Sequence, residues 1–103
     1  MLQVMLTGNI TKDLELKDVK GDKKVCSFTV ACNRKGEDAA DFVDVEVWNK
    51  QAEACAKYLK KGSKVAVIGT LHIDTYEKND GSGKGKALKV VDSNVEFLDT
   101  KKE

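Results

Sequence analysis

Hydrophobic and polar residues alternate along most of this chain, and the period changes clearly only once. The stretch ADFVDVEVWNK, residues 40–50, alternates most cleanly. Successive strand side chains point to opposite faces, so Val43, Val45 and Val47 share one side and Phe42, Asp44, Glu46 and Trp48 the other. The valines predict a core face. The other side carries two of the chain's six aromatics (one Trp, two Tyr, three Phe) with two carboxylates between them, where water is expected.

The same reading predicts four more strands. Leu2, Val4 and Leu6 alternate with Gln3, Met5 and Thr7, ending at Gly8-Asn9. A Lys/Asp-rich stretch follows without apolar alternation, with a Gly-Asp turn in KGDKK, residues 20–24. In KVCSFTVACN, Cys26, Phe28, Val30 and Cys32 oppose Val25, Ser27, Thr29 and Ala31. After residues 40–50 the period becomes helical: Ala52, Cys55, Ala56 and Leu59 fall on one helix face. Asn49 is the expected N-cap and Gly62 the expected C-terminal stop. SKVAVIGTLHIDTY is a strand with a bend expected at Gly69. EKNDGSGKGKA is expected to be a mobile hairpin loop, and ALKVVDSNVEFL a last strand with a break near Asp92-Ser93. Three strands, a helix and two further strands predict an all-β OB-fold, a five-stranded Greek-key barrel with its helix between strands 3 and 4. A ubiquitin-like or SH3-like barrel is the alternative.

Composition narrows the function. The 103 residues suit one domain, expected over residues 1–100 with a short polar tail at 101–103. No apolar run reaches the length of a membrane span, and the start lacks the basic end and long apolar stretch of a signal peptide, so a cytoplasmic protein is expected. The net charge of +1 neither favours nor excludes a polyanionic partner. Three cysteines cannot all pair. Cys26 and Cys32 share a strand and stand about 20 Å apart, too far for a disulfide, and the lone His72 completes no zinc motif. Small hydrophobes in a reducing compartment are expected, with no metal and no cofactor.

No P-loop, nucleophile elbow or acid–base pair is present, so no catalytic residue is expected. Binding features are stronger. Single-stranded nucleic acid is held by aromatics that stack bases and by cations that follow phosphates. Phe42, Trp48 and Tyr76 all project from strands, Tyr76 sharing a side with His72 and Asp74. Arg34 and Lys35 fall in the first long loop, Lys84 and Lys86 in the second. The competing reading has Trp48 closing the barrel end and Tyr76 packing at an edge.

The chain resembles the bacterial single-stranded DNA-binding proteins along nearly its whole length. VMLTGNITKDLEL is similar to the family's opening, FTVACNR to the end of its second strand, and VVDSNVEFL to its last. ADFVDVEVWNKQAEACAKYLKKGSKVAVIGTL is the most specific part. The resemblance implies an OB-fold, a homotetramer and base stacking on Phe42, Trp48 and Tyr76. With it, Arg34, Lys35, Lys50, Lys84 and Lys86 are expected to contact phosphates, and Leu2, Val4 and Leu6 to build the subunit contact. The expected role is sequence-tolerant binding of single-stranded DNA in replication, recombination or repair, in the nucleoid or, for a phage- or plasmid-encoded protein, the host cytoplasm.

Several departures stand out. No aromatic follows Arg34, Leu14 stands at the usual proline, and Asp44, Glu46, His72 and Asp74 replace residues that are neutral or basic in relatives. The family's acidic, partner-recruiting tail has no counterpart after TKKE, which implies a shortened chain or a short phage- or plasmid-type relative. Acids within a screening length of about 8–10 Å repel phosphate, predicting a shallow salt dependence. They also motivate the alternative of a protein-interaction OB module in a replication or primosome assembly with weak DNA affinity. A small adaptor enzyme ranks third.

Overall fold

A computed structural model describes residues 1–36 and 38–98; the expected tail at 101–103 lies outside them. The strands are β1 (Gln3–Ile10), β2 (Glu15–Val19), β3 (Lys23–Asn33), β4 (Ala40–Trp48), β5 (Lys64–Glu77) and β6 (Lys84–Phe97), with the helix α1 (Asn49–Tyr58) between β4 and β5. The sheet order is β1-β5-β6-β4-β3-β2, and a further β1–β3 pairing closes β1, β5, β6, β4 and β3 into a ring. This is the expected five-stranded OB barrel, with one strand segment more than alternation predicted.

The extra segment has a physical reason. β2 reads ELKDV, is exposed almost throughout, and buries no face that would impose a period. Its backbone pairing with β3 fixes it instead, from Glu15↔Ser27 to Val19↔Lys23. β1 and β2 follow one path along the same edge of β3: Asn9 and Ile10 pair with Ala31 and Val30, and the Thr11 amide donates to the Thr29 carbonyl at 3.0 Å. The path then bulges at residues 12–14, where Leu14 packs against the core from the position of the family's proline.

The valines lie where their parity put them. Val43, Val45 and Val47 are buried with Cys26, Phe28, Val30, Val65, Val67 and Val90, and Ala52, Cys55 and Leu59 of α1 cap this cluster. Each fully buried valine contributes about 1.5–3 kcal/mol relative to exposure. Two glycines set the barrel's corners. At Gly8, where β1 passes from β5 to β3, a Cβ would collide with the Ala31 carbonyl oxygen and lie 2.7 Å from Val30 Cγ1. At Gly69 the β5–β6 register shifts, as the sequence predicted, and a Cβ would lie 2.6 Å from Val90 Cγ1. The break expected at Asp92-Ser93 is the other half of this irregularity: β6 runs through it, with Asp92 at φ 50°.

The helix ends differ from expectation. The N-cap is Trp48, without a side-chain capping bond, and Asn49 adopts φ 54°. Its Oδ1 accepts instead from the Lys24 amide at 3.3 Å, joining the start of α1 to the β2–β3 hairpin. The helix stops at Leu59, before Gly62, whose amide donates to the Ile10 carbonyl. Gln51 ties α1 to β6, accepting from the Val95 amide at 2.9 Å and donating to Asn94 Oδ1 at 3.1 Å.

The cysteines behave as small hydrophobes. All three are free thiols; Cys26 and Cys55 are buried and Cys32 is partly so. Burial pushes each thiol up, with Cys55 reaching about 12 beside Cys26. The reactive thiolate is therefore scarce at neutral pH.

Candidate nucleic-acid interface

Two pairings that local sequence does not contain assemble the outward face. β4 lies antiparallel to β3, with Trp48 opposite Val25, Glu46 opposite Ser27, Asp44 opposite Thr29 and Phe42 opposite Ala31. β4 also pairs in parallel with β6 through Asp44↔Lys89 and Val45↔Val90. β6 then pairs with β5 through His72↔Lys89, Asp74↔Ala87 and Tyr76↔Gly85. Paired residues share a face, so Phe42, Trp48 and Tyr76 project from one continuous surface over β3, β4, β6 and β5. They are 63%, 39% and 50% exposed, and none closes the core. Phe42 and Tyr76 lie toward one end and Trp48 toward the other, about 20 Å from Phe42 along β4.

Partners for the acids follow from this arrangement. Asp44 Oδ1 accepts from the Thr29 hydroxyl at 2.8 Å. Glu46 uses both oxygens: Oε1 accepts from the Trp48 indole at 3.1 Å, and Oε2 pairs with Lys89 Nζ at 3.0 Å. Glu46 thus orients the indole while Lys89 offsets its charge. Asp41 pairs with Arg34, whose Nε and Nη2 donate to Oδ1 at 3.1 and 2.8 Å. That bond holds the Asp41 carboxyl below the usual carboxylate range.

The expected cations fare unequally. Arg34 is engaged by Asp41, Lys35 is exposed in the adjoining turn, and Lys50 is exposed in the first turn of α1. Lys84 and Lys86 are not loop residues. They lie on β6 opposite Glu77 and Thr75, and alternation turns them to the face away from Tyr76. The loop at 78–83 is closed by Lys78 amide to Gly83 carbonyl and Gly81 amide to Lys78 carbonyl bonds, with Ser82 bonded to Asp80. Of the residues expected at a subunit contact, Leu2 is exposed, whereas Val4 and Leu6 pack against the core. The outward apolar pair on this side is Met5 and Ile68, cross-strand neighbours that alternation had not singled out.

Sequence reasoning also missed Lys89 and Gly85. Lys89 sits mid-surface, but nothing local says that β4 and β6 are neighbours. Gly85 makes room for Tyr76: a Cβ there would lie 2.6 Å from Tyr76 Cζ and its hydroxyl oxygen, so the ring crosses the glycine.

Removing the charge of Glu46 tests this electrostatic balance. Glu46→Gln keeps an acceptor for Trp48 and releases Lys89. The salt slope of binding to oligo-dT is expected to steepen by about 0.7, one cation's worth for a single strand, with tighter binding at low salt. An unchanged slope would mean that Lys89 is not limited by its pairing.

Residues 1–98 match the single-strand binding protein family. The chain is 43% identical over 110 residues to single-stranded DNA-binding protein 1 of Clostridium acetobutylicum, covering 100% of this chain and 98% of that protein. It is 41% identical over 106 residues to single-stranded DNA-binding protein 3 of Listeria innocua, covering 98% of this chain and 66% of the relative. With the single-stranded DNA-binding protein of Bacillus cereus it shares 40% over 104 residues, covering 96% of this chain and 61% of the relative. The chain therefore spans nearly all of the first and somewhat less than two thirds of the other two.

Proposed function

The chain belongs to the single-strand binding protein family, and from that premise we propose that it binds single-stranded DNA by stacking bases on Phe42, Trp48 and Tyr76. One observation carries this reading: three exposed aromatics share a single sheet face although they come from two strands far apart in sequence. Stacking tolerates any base because every base has a π-face. The binding is accordingly sequence-tolerant, suited to protecting single strands during replication, recombination or repair in the cytoplasm. The role is binding alone, without a catalytic residue or cofactor. Lys35, Lys50 and Lys89 are the cations best placed for phosphates. Arg34 joins them where phosphate displaces Asp41, while Lys84 and Lys86 serve a strand that wraps the β5–β6 arm.

A homo-oligomer, a tetramer by family, accompanies this role. Supporting it, the β1 edge before Asn9 lacks a β3 partner, and Leu2, Met5 and Ile68 are exposed beside it. A monomeric mass by light scattering at micromolar concentration would overturn the oligomer.

Trp48 is the only tryptophan, so titration with oligo-dT at low salt reads the site directly. Stacking is expected to quench its fluorescence saturably. Absence of quenching, with no retention of labelled oligonucleotide, would favour the protein-interaction reading instead.

A further inference from the structure

The Trp48 end of the aromatic face does not stop at the end of β4. β3 begins at Lys23 and overhangs it, carrying β2 alongside, so the outward row runs from Trp48 through Val25 to Lys17, with Lys23 and Val19 beyond. A cleft of about 410 Å³ opens there, lined by Val19, Lys20, Lys23, Trp48, Asn49 and Asp92. That volume falls in the ordinary range for ligand clefts, roughly 300–1,000 Å³.

Its backbone sets the cleft apart. The described residues include three non-glycine positions with positive φ: Asp22 at 64°, Asn49 at 54° and Asp92 at 50°. Asn49 and Asp92 line the cleft, and Asp22 sits in the turn between Lys20 and Lys23. Such conformations cost free energy and concentrate where a site is shaped. The hairpin is also fixed to α1, by the Lys24 amide to Asn49 Oδ1 bond and by Lys24 Nζ to Glu53 at 4.0 Å. The neighbouring lysines are occupied, Lys17 by Glu15 and Lys24 by Glu53, whereas Lys20 and Lys23 enter no ion pair among the described residues.

We propose that this cleft is a further nucleotide subsite, which carries a bound single strand off the barrel past Trp48 onto the β2–β3 hairpin. The inference rests on the DNA-binding reading above. Lys20 and Lys23 take the phosphate, while Val19 and the edge of Trp48 take the base. The Asp92 carboxylate repels phosphate from its own side, which sets the polarity of the cleft. The ligand class is a nucleotide of single-stranded nucleic acid, selected by charge and an apolar flat face rather than by base identity.

The test compares K20Q/K23Q with K60Q/K61Q, an equal loss of charge in the turn after the far end of α1. Oligo-dT binding is measured across a salt series by Trp48 quenching. Each phosphate contact removed lowers the single-strand salt slope by about 0.7. The K20Q/K23Q slope is expected to fall by up to roughly 1.4 with quenching at saturation retained, while K60Q/K61Q keeps the slope of the unaltered protein. Unaltered binding with the same slope in K20Q/K23Q, or an equal fall in both variants, overturns the subsite alone. Failure of the unaltered protein to bind overturns the DNA-binding reading, and the subsite falls with it.

Discussion

Replacing Phe42 and Trp48 together with alanine is expected to weaken oligo-dT binding by roughly 30-fold to more than 10,000-fold. The estimate follows from about 1–3 kcal/mol of stacking per base and about 1.4 kcal/mol per tenfold change in affinity. The residues stand at opposite ends of β4, about 20 Å apart, so their losses should add rather than overlap. Both are exposed on the outer face while the valines between them hold the core, so the fold should survive. Anisotropy of a labelled oligonucleotide measures the loss, and a thermal melt checks the fold. A loss below about threefold with an unchanged melt would leave cations alone to hold the strand, contrary to the stacking reading.

The second large effect concerns the barrel itself. Gly8→Val is expected to destabilise the protein by about 2–3 kcal/mol, through forced overpacking at a closed corner. For a domain of this size that corresponds to a melting temperature lower by roughly 10–20 °C. The cause is specific: the new Cβ meets the Ala31 carbonyl and Val30 Cγ1, where β1 leaves β5 for β3. Backbone cannot yield there without opening the β1–β3 closure that completes the ring. A melt within about 2 °C of the unaltered protein would mean that the corner relaxes freely.

These two substitutions also separate what was legible in the sequence from what was not. Phe42 and Trp48 were readable as outward-facing because a strand's two faces are fixed by a period of two, and the buried valines between them set which face is which. Gly69 was readable as a bend because glycine interrupts an otherwise branched strand. β2 was not readable, since ELKDV buries no face and carries no period. Asn49 was misread as a cap because its side chain had a better-placed donor, the Lys24 amide across the fold.

The sequence by itself determined the strands of the barrel ring, the helix, the core face of each and the aromatic character of the outer face. Those properties are local, fixed by backbone geometry and the need to bury apolar side chains. Only the tertiary structure decided which outward residues meet. The parallel β4–β6 contact puts Lys89 beside Glu46, which lets a carboxylate steady the Trp48 indole instead of merely repelling phosphate. The β5–β6 register sets Tyr76 over Gly85 and turns Lys84 and Lys86 to the other side. Register and pairing join residues tens of positions apart, and a one-residue shift reverses every face. For that reason charges such as Asp44 and Glu46 have no readable role until the sheet has closed.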